Sequence, residues 1–215
     1  MNQPDAVVID YGMGNLTSVR RGLEHCGANV KVTSDPEIIL SSPRIILPGV
    51  GAFPNGMSKL DSLGLSSVIR ESVARGCFLL GICLGMQMLL EQSDEFGISE
   101  GLGLIPGRVV AISPKTIDGK SQKIPHIGWD NLILSHENAT WDGTLLQDVA
   151  EHSSVYFVHS FMAEPTSADH RLADCLYGGL KISAVIGHGN VLGCQFHPEK
   201  SGPVGLSILR RFLML

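Results

Sequence analysis

A cysteine held between two glycines, in the apolar stretch FLLGICLGMQ (Phe78 to Gln87), is the residue of this chain best suited to chemistry. Cys83 ends a buried-strand pattern and precedes a helical pattern from Leu84 to Glu91. Such a strand-turn-helix junction strains the backbone at a nucleophile, and side chains two positions away would crowd it. Gly81 and Gly85 remove those side chains, and a helix that begins at the sulfur favours the thiolate. A buried structural cysteine beside two packing glycines explains the pentapeptide equally well.

A cysteine nucleophile needs a base, and the base needs a group that orients it. The stretch CQFHPEKS (Cys194 to Ser201) offers both, because His197 and Glu199 are two positions apart and would face the same way on an extended chain. Glu199 would accept a hydrogen bond from the imidazole and fix its tautomer, as an aspartate does in serine triads. Alone, the HPE tripeptide fits an exposed turn. With the cysteine junction upstream, the sequence favours a triad of Cys83, His197 and Glu199.

Attack of a thiolate on an acyl group creates a negatively charged oxygen, which backbone N–H groups stabilise. The amide of Leu84, directly after the cysteine, is one candidate donor. The segment LPGVGAF supplies another at Gly49, Val50 and Gly51, just beyond the third predicted strand. An ordinary strand-to-helix turn also explains this segment. The sequence has no phosphate-binding G-x-x-x-x-G-K, no dinucleotide fingerprint and no paired cysteines typical of a metal site, so we expect neither a cofactor nor a metal.

These groups need a scaffold that brings strand ends together, and the first half of the chain predicts one. Short apolar runs alternate there with helical patterns, which is typical of a mostly parallel sheet covered by helices; the runs span residues 6–10, 29–32, 44–48 and 77–82. Reactive groups collect at the carboxyl ends of such strands. After about Gly101 short strand-like pieces follow, and a last helix is predicted from Val204 to Leu215. We expect an α/β fold and a single domain over residues 1–215.

Composition excludes several classes of protein. The chain has 215 residues, of which 44% are hydrophobic and 17% charged, as in globular proteins. The net charge of -5 and the lack of a Lys/Arg cluster argue against a nucleic-acid partner. No apolar run reaches the roughly 18 residues of a membrane span, and the first residues do not resemble a secretory leader. Five cysteines without metal-ligand spacing fit reduced thiols, so we expect a cytoplasmic protein. Among the histidines, His159 fits either the core or a pocket wall.

Three motifs, LPGVGAF, GICLGMQ and QFHPEKS, occur here in the order and spacing of the class I (triad) glutamine amidotransferases. Together with DYGMGNL, GLGLIPGRV, PHIGWD and YFVHSF, they make the chain similar to the branch of glutaminase subunits that serve imidazole glycerol phosphate synthase in histidine biosynthesis. The resemblance runs from about Val8 to Leu213. It implies a class I glutamine amidotransferase-like (flavodoxin-like) fold, with a mostly parallel central sheet flanked by helices and extra short antiparallel strands in the second half.

The resemblance implies roles for individual residues. Cys83 would attack the carboxamide of L-glutamine and form a thioester, His197 would protonate the departing ammonia and then activate water, and Glu199 would orient His197. The remaining positions match an oxyanion strand (Gly49, Val50 and Gly51), a glutamine-holding pair (Gln87 and Ser160) and a set that faces a synthase subunit (Asn15, Trp129, Tyr156 and Lys200).

The partner implied is a separate TIM-barrel synthase (cyclase) subunit, which forms a heterodimer and uses the ammonia to make imidazole glycerol phosphate and an aminoimidazole carboxamide ribotide. Ammonia in free solution is mostly protonated at neutral pH, and ammonium is not a nucleophile, so delivery needs a sheltered path. Family members commonly have Asn after the Trp of the GW motif, where this chain has Asp130. A paralogous branch that supplies ammonia for nucleotide-sugar or surface-polysaccharide amidation also fits KIPHIGWD. A peptidase of the same fold and a non-catalytic binding protein are less favoured.

Overall fold

Strands and helices alternate through the first part of the computed structural model, which describes residues 3–137 and 139–215. The strands are β1 (Ala6–Ile9), β2 (Val30–Thr33), β3 (Arg44–Gly49), β4 (Phe78–Cys83), β5 (Leu90–Ser93), β6 (Ser99–Glu100), β7 (Ile105–Ala111), β8 (His126–Asn131), β9 (Ile133–Leu134), β10 (Ser154–His159), β11 (Phe161–Pro165), β12 (Arg171–Tyr177), β13 (Leu180–His188) and β14 (Val191–Cys194). The helices are α1 (Leu16–His25), α2 (Pro36–Ser41), α3 (Phe53–Ser62), α4 (Leu65–Ala74), α5 (Leu84–Gln87) and α6 (Gly202–Phe212). Short 3₁₀ turns cover Ala168–His170 and Pro198–Lys200.

The central sheet has the strand order β2-β1-β3-β4-β14-β13-β12-β9. Its first five strands are parallel to their neighbours, and the pairs β14–β13, β13–β12 and β12–β9 are antiparallel. Two smaller sheets, β8–β10 and β11-β7-β5-β6, come from the second half of the chain. The predicted fold class is therefore confirmed: a mostly parallel central sheet is flanked by helices, with short antiparallel strands added after it.

Both faces of the parallel part of the sheet are covered, which is why its strands read as continuous apolar runs. In β1, Ala6 and Val8 pack towards α1 and α6, whereas Val7 and Ile9 pack towards α2, α3 and α4. This alternation follows from the two-residue repeat of a strand. Full burial of an aliphatic side chain contributes roughly 1.5–3 kcal/mol, so the two layers hold the strand ends rigidly in place.

Two predicted helices differ from the observed ones. The helix expected over residues 84–91 ends at Gln87, because the carbonyl oxygens of Met88 and Leu89 accept hydrogen bonds from the amides of Leu102 and Leu104, and the chain continues into β5. The last helix begins at Gly202 and ends at Phe212 rather than spanning 204–215. Helices α2 and α3 were not predicted. Within the described residues, no helix is both long enough and apolar enough to cross a membrane.

Candidate active site

Cys83 stands at the junction of β4 and α5 in a strained backbone conformation, with φ 55° and ψ -113°. A residue with a Cβ rarely adopts such a φ, and the strain marks functional positions. A Cβ on Gly85 would lie 1.7 Å from the carbonyl oxygen of Leu47, and one on Gly81 would lie 2.6 Å from the carbonyl oxygen of Gly85. The two glycines are thus required by the junction, as their spacing predicts.

His197 reaches the same edge of the sheet because β14, which precedes it, pairs in parallel with β4. Its Nδ1 lies 2.8 Å from Oε1 of Glu199, and the two side chains are 4% and 0% exposed. The predicted pairing of His197 with Glu199 forms, but the geometry that we expected for it is wrong. The chain after His197 folds into the 3₁₀ turn Pro198–Lys200 instead of staying extended, and this turn brings the carboxylate back to the ring.

The surroundings of His197 favour its protonated form. Burial lowers the pKa of the imidazole, but hydrogen bonds to Cys83 and Glu199, together with their negative charges, outweigh burial and raise this pKa to about 9. Because Nδ1 faces Glu199, Nε2 is the ring nitrogen left for the sulfur. A protonated imidazole next to Cys83 stabilises a negatively charged sulfur, which is the nucleophilic form of a thiol.

A pocket of about 320 Å³ opens in front of these groups. Its volume suits a small substrate, since ligand pockets start at roughly 300 Å³. The predicted residues that line it are Cys83, His197, Val50, Gly51, Leu84, Gln87 and Ser160. Gly49 is not among the lining residues but pairs with Cys83 across β3 and β4. Glu199 lies behind His197, away from the pocket.

Of the residues expected to face a partner, Asn15, Trp129 and Lys200 are exposed and Tyr156 is half-buried. Trp129 and Tyr156 are paired across β8 and β10, with their ring centroids 5.9 Å apart. Asn15 is an exposed residue whose Oδ1 accepts a hydrogen bond from the amide of Ser18 at the start of α1. Lys200 is exposed directly after the buried carboxylate of Glu199. The structure therefore groups Trp129 with Tyr156 and leaves Asn15 and Lys200 open to solvent.

Asp130 does not share the outward face of Trp129. Neighbouring residues of a strand point to opposite sides, and the Oδ2 of Asp130 lies 2.6 Å from Nε2 of His126, which is fully buried. The negative charge that departs from the common family residue is therefore paired with His126 on the face of the β8–β10 sheet opposite Trp129, where the Asp130 side chain is 35% exposed.

Three side chains near Cys83 were missed from the sequence. Nε2 of Gln195 lies 3.8 Å from Sγ of Cys83; its position two residues before His197 in the sequence was an available signal. Glu95 is a buried carboxylate that lines the pocket and accepts a hydrogen bond of 2.7 Å from the amide of Phe53. The hydroxyl of Tyr11 is buried without a hydrogen-bond partner among the residues that the structure describes, and burial, followed by the charge of Cys83, raises its pKa. Nothing local in the sequence points to Glu95 or Tyr11.

The family described as glutamine amidotransferase class-I matches residues 7–215. The chain belongs to this family. This amidotransferase is 52% identical to "Imidazole glycerol phosphate synthase subunit HisH 1" of Legionella pneumophila (strain Lens), and the match covers 97% of this chain and 98% of that protein. It is 46% identical to the protein named subunit HisH of the same synthase in Geobacillus sp. (strain WCH70), over 95% and 94% of the two chains. The resemblance drawn from the motifs is confirmed.

Two solved structures share the fold of this amidotransferase. One titled "Crystal structure of glutamine amidotransferase" superposes with a TM-score of 0.71 at 16% identity and covers 97% of this chain and 99% of the other. The structure of PurLQS from Thermotoga maritima gives a TM-score of 0.69 at 20% identity, with 99% of each chain covered. At such identities these likenesses concern the fold alone.

Proposed function

We propose that this chain is the glutaminase subunit of an imidazole glycerol phosphate synthase in histidine biosynthesis. It hydrolyses L-glutamine to glutamate and ammonia with Cys83, His197 and Glu199 and passes the ammonia to a separate synthase subunit. The observation that carries this proposal is the strained Cys83 at a pocket wall, opposite a buried His197–Glu199 pair. The names of the relatives given above support the pathway, and the single domain over residues 1–215 is part of the same proposal.

The first half of the reaction forms a thioester. The sulfur of Cys83 attacks the carboxamide carbon, and the carbonyl oxygen takes up the negative charge. The amide of Leu84 and a peptide N–H of the Gly49–Gly51 segment are the donors expected to stabilise that charge. Nε2 of His197 then gives its proton to the amide nitrogen, the C–N bond breaks, and neutral ammonia leaves.

The second half releases glutamate. His197, now neutral, takes a proton from water while the water oxygen attacks the thioester carbon, and the C–S bond breaks to restore the thiolate and the imidazolium. Glu199 keeps Nδ1 of His197 protonated throughout, so that Nε2 is the nitrogen that exchanges protons. In sum, glutamine and water become glutamate, ammonia and one proton, which leaves when the glutamic acid product ionises.

The rest of the pocket fits an amino acid substrate. Glutamine carries an α-ammonium group, and the buried carboxylate of Glu95 is the acidic side chain among the lining residues. We assign Glu95 to that ammonium group and Gln87 and Ser160 to polar contacts along the substrate.

A partner is expected to cover the pocket mouth. Val50 at the pocket, with Ile127 and Trp129 on the outward face of β8, are 44%, 52% and 56% exposed. Large exposed apolar side chains beside a pocket or on a strand face are typical of protein interfaces. Trp129, Tyr156, Asn15 and Lys200 are proposed to contact a TIM-barrel subunit in a heterodimer. The alternative acceptor, a sugar-amidating synthase, remains open to the same experiment.

The test follows the amide nitrogen of glutamine. The chain is mixed with its synthase subunit, the nucleotide substrate of that subunit and glutamine labelled with ¹⁵N in the amide, and the label is measured in the imidazole product by mass spectrometry. We expect the label to enter the product. The Cys83→Ser complex is the control: it should make unlabelled product from added ammonium salts and none from glutamine. Label appearing only in an amidated sugar, with the corresponding synthase, would select the alternative branch.

A further inference from the structure

A run of hydrogen bonds through two buried imidazoles leads from Asp130, whose side chain is 35% exposed, to the wall of the pocket. Oδ2 of Asp130 lies 2.6 Å from Nε2 of His126, and Nδ1 of His126 lies 3.0 Å from Nε2 of His159. Nδ1 of His159 in turn lies 2.8 Å from the carbonyl oxygen of Phe161. The two imidazoles are 0% and 6% exposed, and the reaction described above uses neither of them.

When all three contacts are hydrogen bonds, the run holds one proton more than two neutral imidazoles carry. Its ends are a carboxylate and a carbonyl oxygen, which only accept, so each of the three contacts needs its own proton. Two neutral rings supply two. The third belongs to the 2.6 Å contact of His126 with Asp130, the shortest of the three. Burial outweighs the hydrogen bond and the charge of Asp130 and lowers the pKa of His126 below its ordinary value. The third proton is therefore held in acidic solution and is lost as pH rises.

The same carbonyl oxygen orders the amides behind Cys83. The oxygen of Phe161 also accepts a hydrogen bond of 3.0 Å from Nε2 of Gln87, and that nitrogen donates to Oε1 of Gln195, also at 3.0 Å. Nε2 of Gln195 then lies 3.8 Å from Sγ of Cys83. Because a carbonyl only accepts, each amide in the series has one orientation, and an N–H rather than an oxygen faces the sulfur.

We propose that Asp130 is a positioning residue of the glutaminase site, which acts through His126 and His159. While the third proton is present, Phe161 keeps both of its donors, and the side chain of Gln87 stays fixed in the pocket wall. When that proton is lost, both rings turn their protons towards Asp130. Nδ1 of His159 then carries no proton where it faces the carbonyl oxygen of Phe161, and the pocket wall loses this hydrogen bond. The effect on catalysis rests on the proposed glutaminase function, whereas the proton count does not.

Other titratable groups face this run and belong to its pH dependence. The ring of Tyr177 is stacked on His126 with centroids 4.1 Å apart, and the thiol of Cys175 lies near enough to Asp130 for that charge, after burial, to raise its pKa. His197 lies beyond His159, whose pKa is lowered to about 3 by burial and, to a smaller extent, by its two neighbouring histidines. A positive charge is therefore disfavoured on His159, which keeps the extra proton at the Asp130 end.

The substitution Asp130→Asn tests the proton count. An asparagine amide has the same shape but donates its own N–H to Nε2 of His126, so all three contacts are filled without an extra proton. Asp118→Asn, at an exposed loop residue, removes the same charge elsewhere and is the matched control. The ring nitrogens of His126 are observed by NMR in ¹⁵N-histidine-labelled protein. At a pH below the titration of the run, we expect Nδ1 to be protonated in all three proteins, and Nε2 to be unprotonated only in Asp130→Asn. An unprotonated Nδ1 in the parent at that pH, or identical Nε2 signals in the parent and Asp130→Asn, would overturn the proposal.

The kinetic test uses the chain in complex with its synthase subunit. Loss of one hydrogen bond in the pocket wall changes glutamine binding by roughly 2–10-fold. As pH rises through the titration of the run, KM for glutamine should rise by that factor in the parent and in Asp118→Asn, with kcat little changed. Asp130→Asn should lack this rise. Parallel KM profiles for the parent and Asp130→Asn would refute the positioning role. No glutamine hydrolysis in any of the three proteins would refute the glutaminase function instead, and the NMR result would still decide the proton count.

Discussion

Gly49 and Cys83 lie opposite each other as the last residues of two neighbouring parallel strands, β3 and β4. A Cβ on Gly49 would lie 2.9 Å from the Cβ of Leu84 and 2.7 Å from the hydroxyl of Tyr11. Glycine therefore lets the peptide that follows β3 come close to the nucleophile. The register of the two strands places the sulfur beside the proposed oxyanion donors.

Cys83 should be the one cysteine that reacts with an alkylating glutamine analogue. All five cysteines are free, but burial raises the pKa of the Cys175 and Cys194 thiols above the usual range and that of Cys77 to about 11. Peptide mass spectrometry after labelling should find the adduct on Cys83, with Cys26 as the half-buried comparison. Predominant labelling of any other cysteine would contradict the assignment. Cys83→Ser should lose glutamine hydrolysis while keeping its fold and its partner.

His197 and Glu199 should differ in their effect on rate. Loss of a general base typically costs ~10²–10⁴-fold, so His197→Ala should lose nearly all activity, whereas Glu199→Gln should keep a part of it. Steady-state glutamine hydrolysis with the synthase subunit present measures both variants. Unchanged activity in His197→Ala would remove this residue from the reaction.

The pair should also make stability depend on pH. The folded pKa of His197 is raised to about 9 from the ordinary value of 6.5, so the folded chain binds this proton more tightly than the unfolded chain does. The resulting stabilisation is fully present below the unfolded pKa and is lost as pH rises through the folded pKa. Denaturant unfolding should therefore show Glu199→Gln less stable than the parent at about pH 6, with the difference shrinking towards about pH 9.5. A constant difference would contradict this view of the pair.

Sequence reasoning found the groups that local pattern defines and missed those that depend on distant contacts. Cys83 and its glycines were predictable because a strained strand-turn-helix junction restricts residue types within five positions. The contact between His197 and Glu199 was predicted for a wrong geometric reason. Glu95 lies in a loop after β5, and only the packing of α3 against that loop, through the Phe53 amide, brings its carboxylate to the pocket.

The helix after Cys83 illustrates the same limit. Apolar periodicity in residues 84–91 fits a helix, yet the chain leaves the helix after Gln87 because backbone groups of residues 101–105 bond to it. Tertiary hydrogen bonds here override a local preference that is worth only a few tenths of a kcal/mol per residue. The apolar strands of the parallel sheet were predictable because burial on both faces leaves a continuous apolar run.

Glu95→Gln should raise KM for glutamine and leave kcat much less affected. The side-chain amide oxygen of the substituted residue can still accept a hydrogen bond from the amide of Phe53. The variant therefore removes the charge and keeps the hydrogen bond at the start of α3. Hydrogen bonds to charged groups contribute about 1.5–3 kcal/mol, which corresponds to roughly 10-fold or more in binding. Glu100→Gln, at an exposed residue of β6, is the control and should keep the parental KM. Equal KM values for the two variants would show that Glu95 does not hold the ammonium group.

Gly85→Ala should destabilise the fold much more than Gly187→Ala. A Cβ at 85 meets the backbone carbonyl of Leu47 at 1.7 Å, whereas a Cβ at 187 meets the ends of the Leu172 and Leu192 side chains at 3.0 Å. Side-chain ends can shift, but a backbone carbonyl within a paired strand cannot. Overpacking costs about 1–3 kcal/mol, and we expect Gly85→Ala to lie at or above the upper end in urea unfolding. Similar costs for both variants would mean that the junction is softer than its contacts indicate.

Glutamine hydrolysis should be gated by the synthase subunit. A site that is always competent would consume glutamine with no acceptor waiting. Gly51 has a φ of 98°, and Val50 is exposed beside it, so the peptides of this segment can turn at modest cost. A turned peptide would aim a carbonyl oxygen at the developing oxyanion, and loss of one such donor costs ~10²–10³-fold in rate, or about 3 kcal/mol. A partner that binds more tightly when the peptide N–H faces the oxyanion recovers that rate by shifting the population towards this state.

The chain alone should therefore hydrolyse glutamine very slowly, and the synthase subunit with its nucleotide ligand should raise kcat by orders of magnitude, as steady-state assays of glutamate release can measure. The subunit without its ligand is the control. Comparable rates for the isolated chain and the liganded complex would mean that the oxyanion donors are already in place.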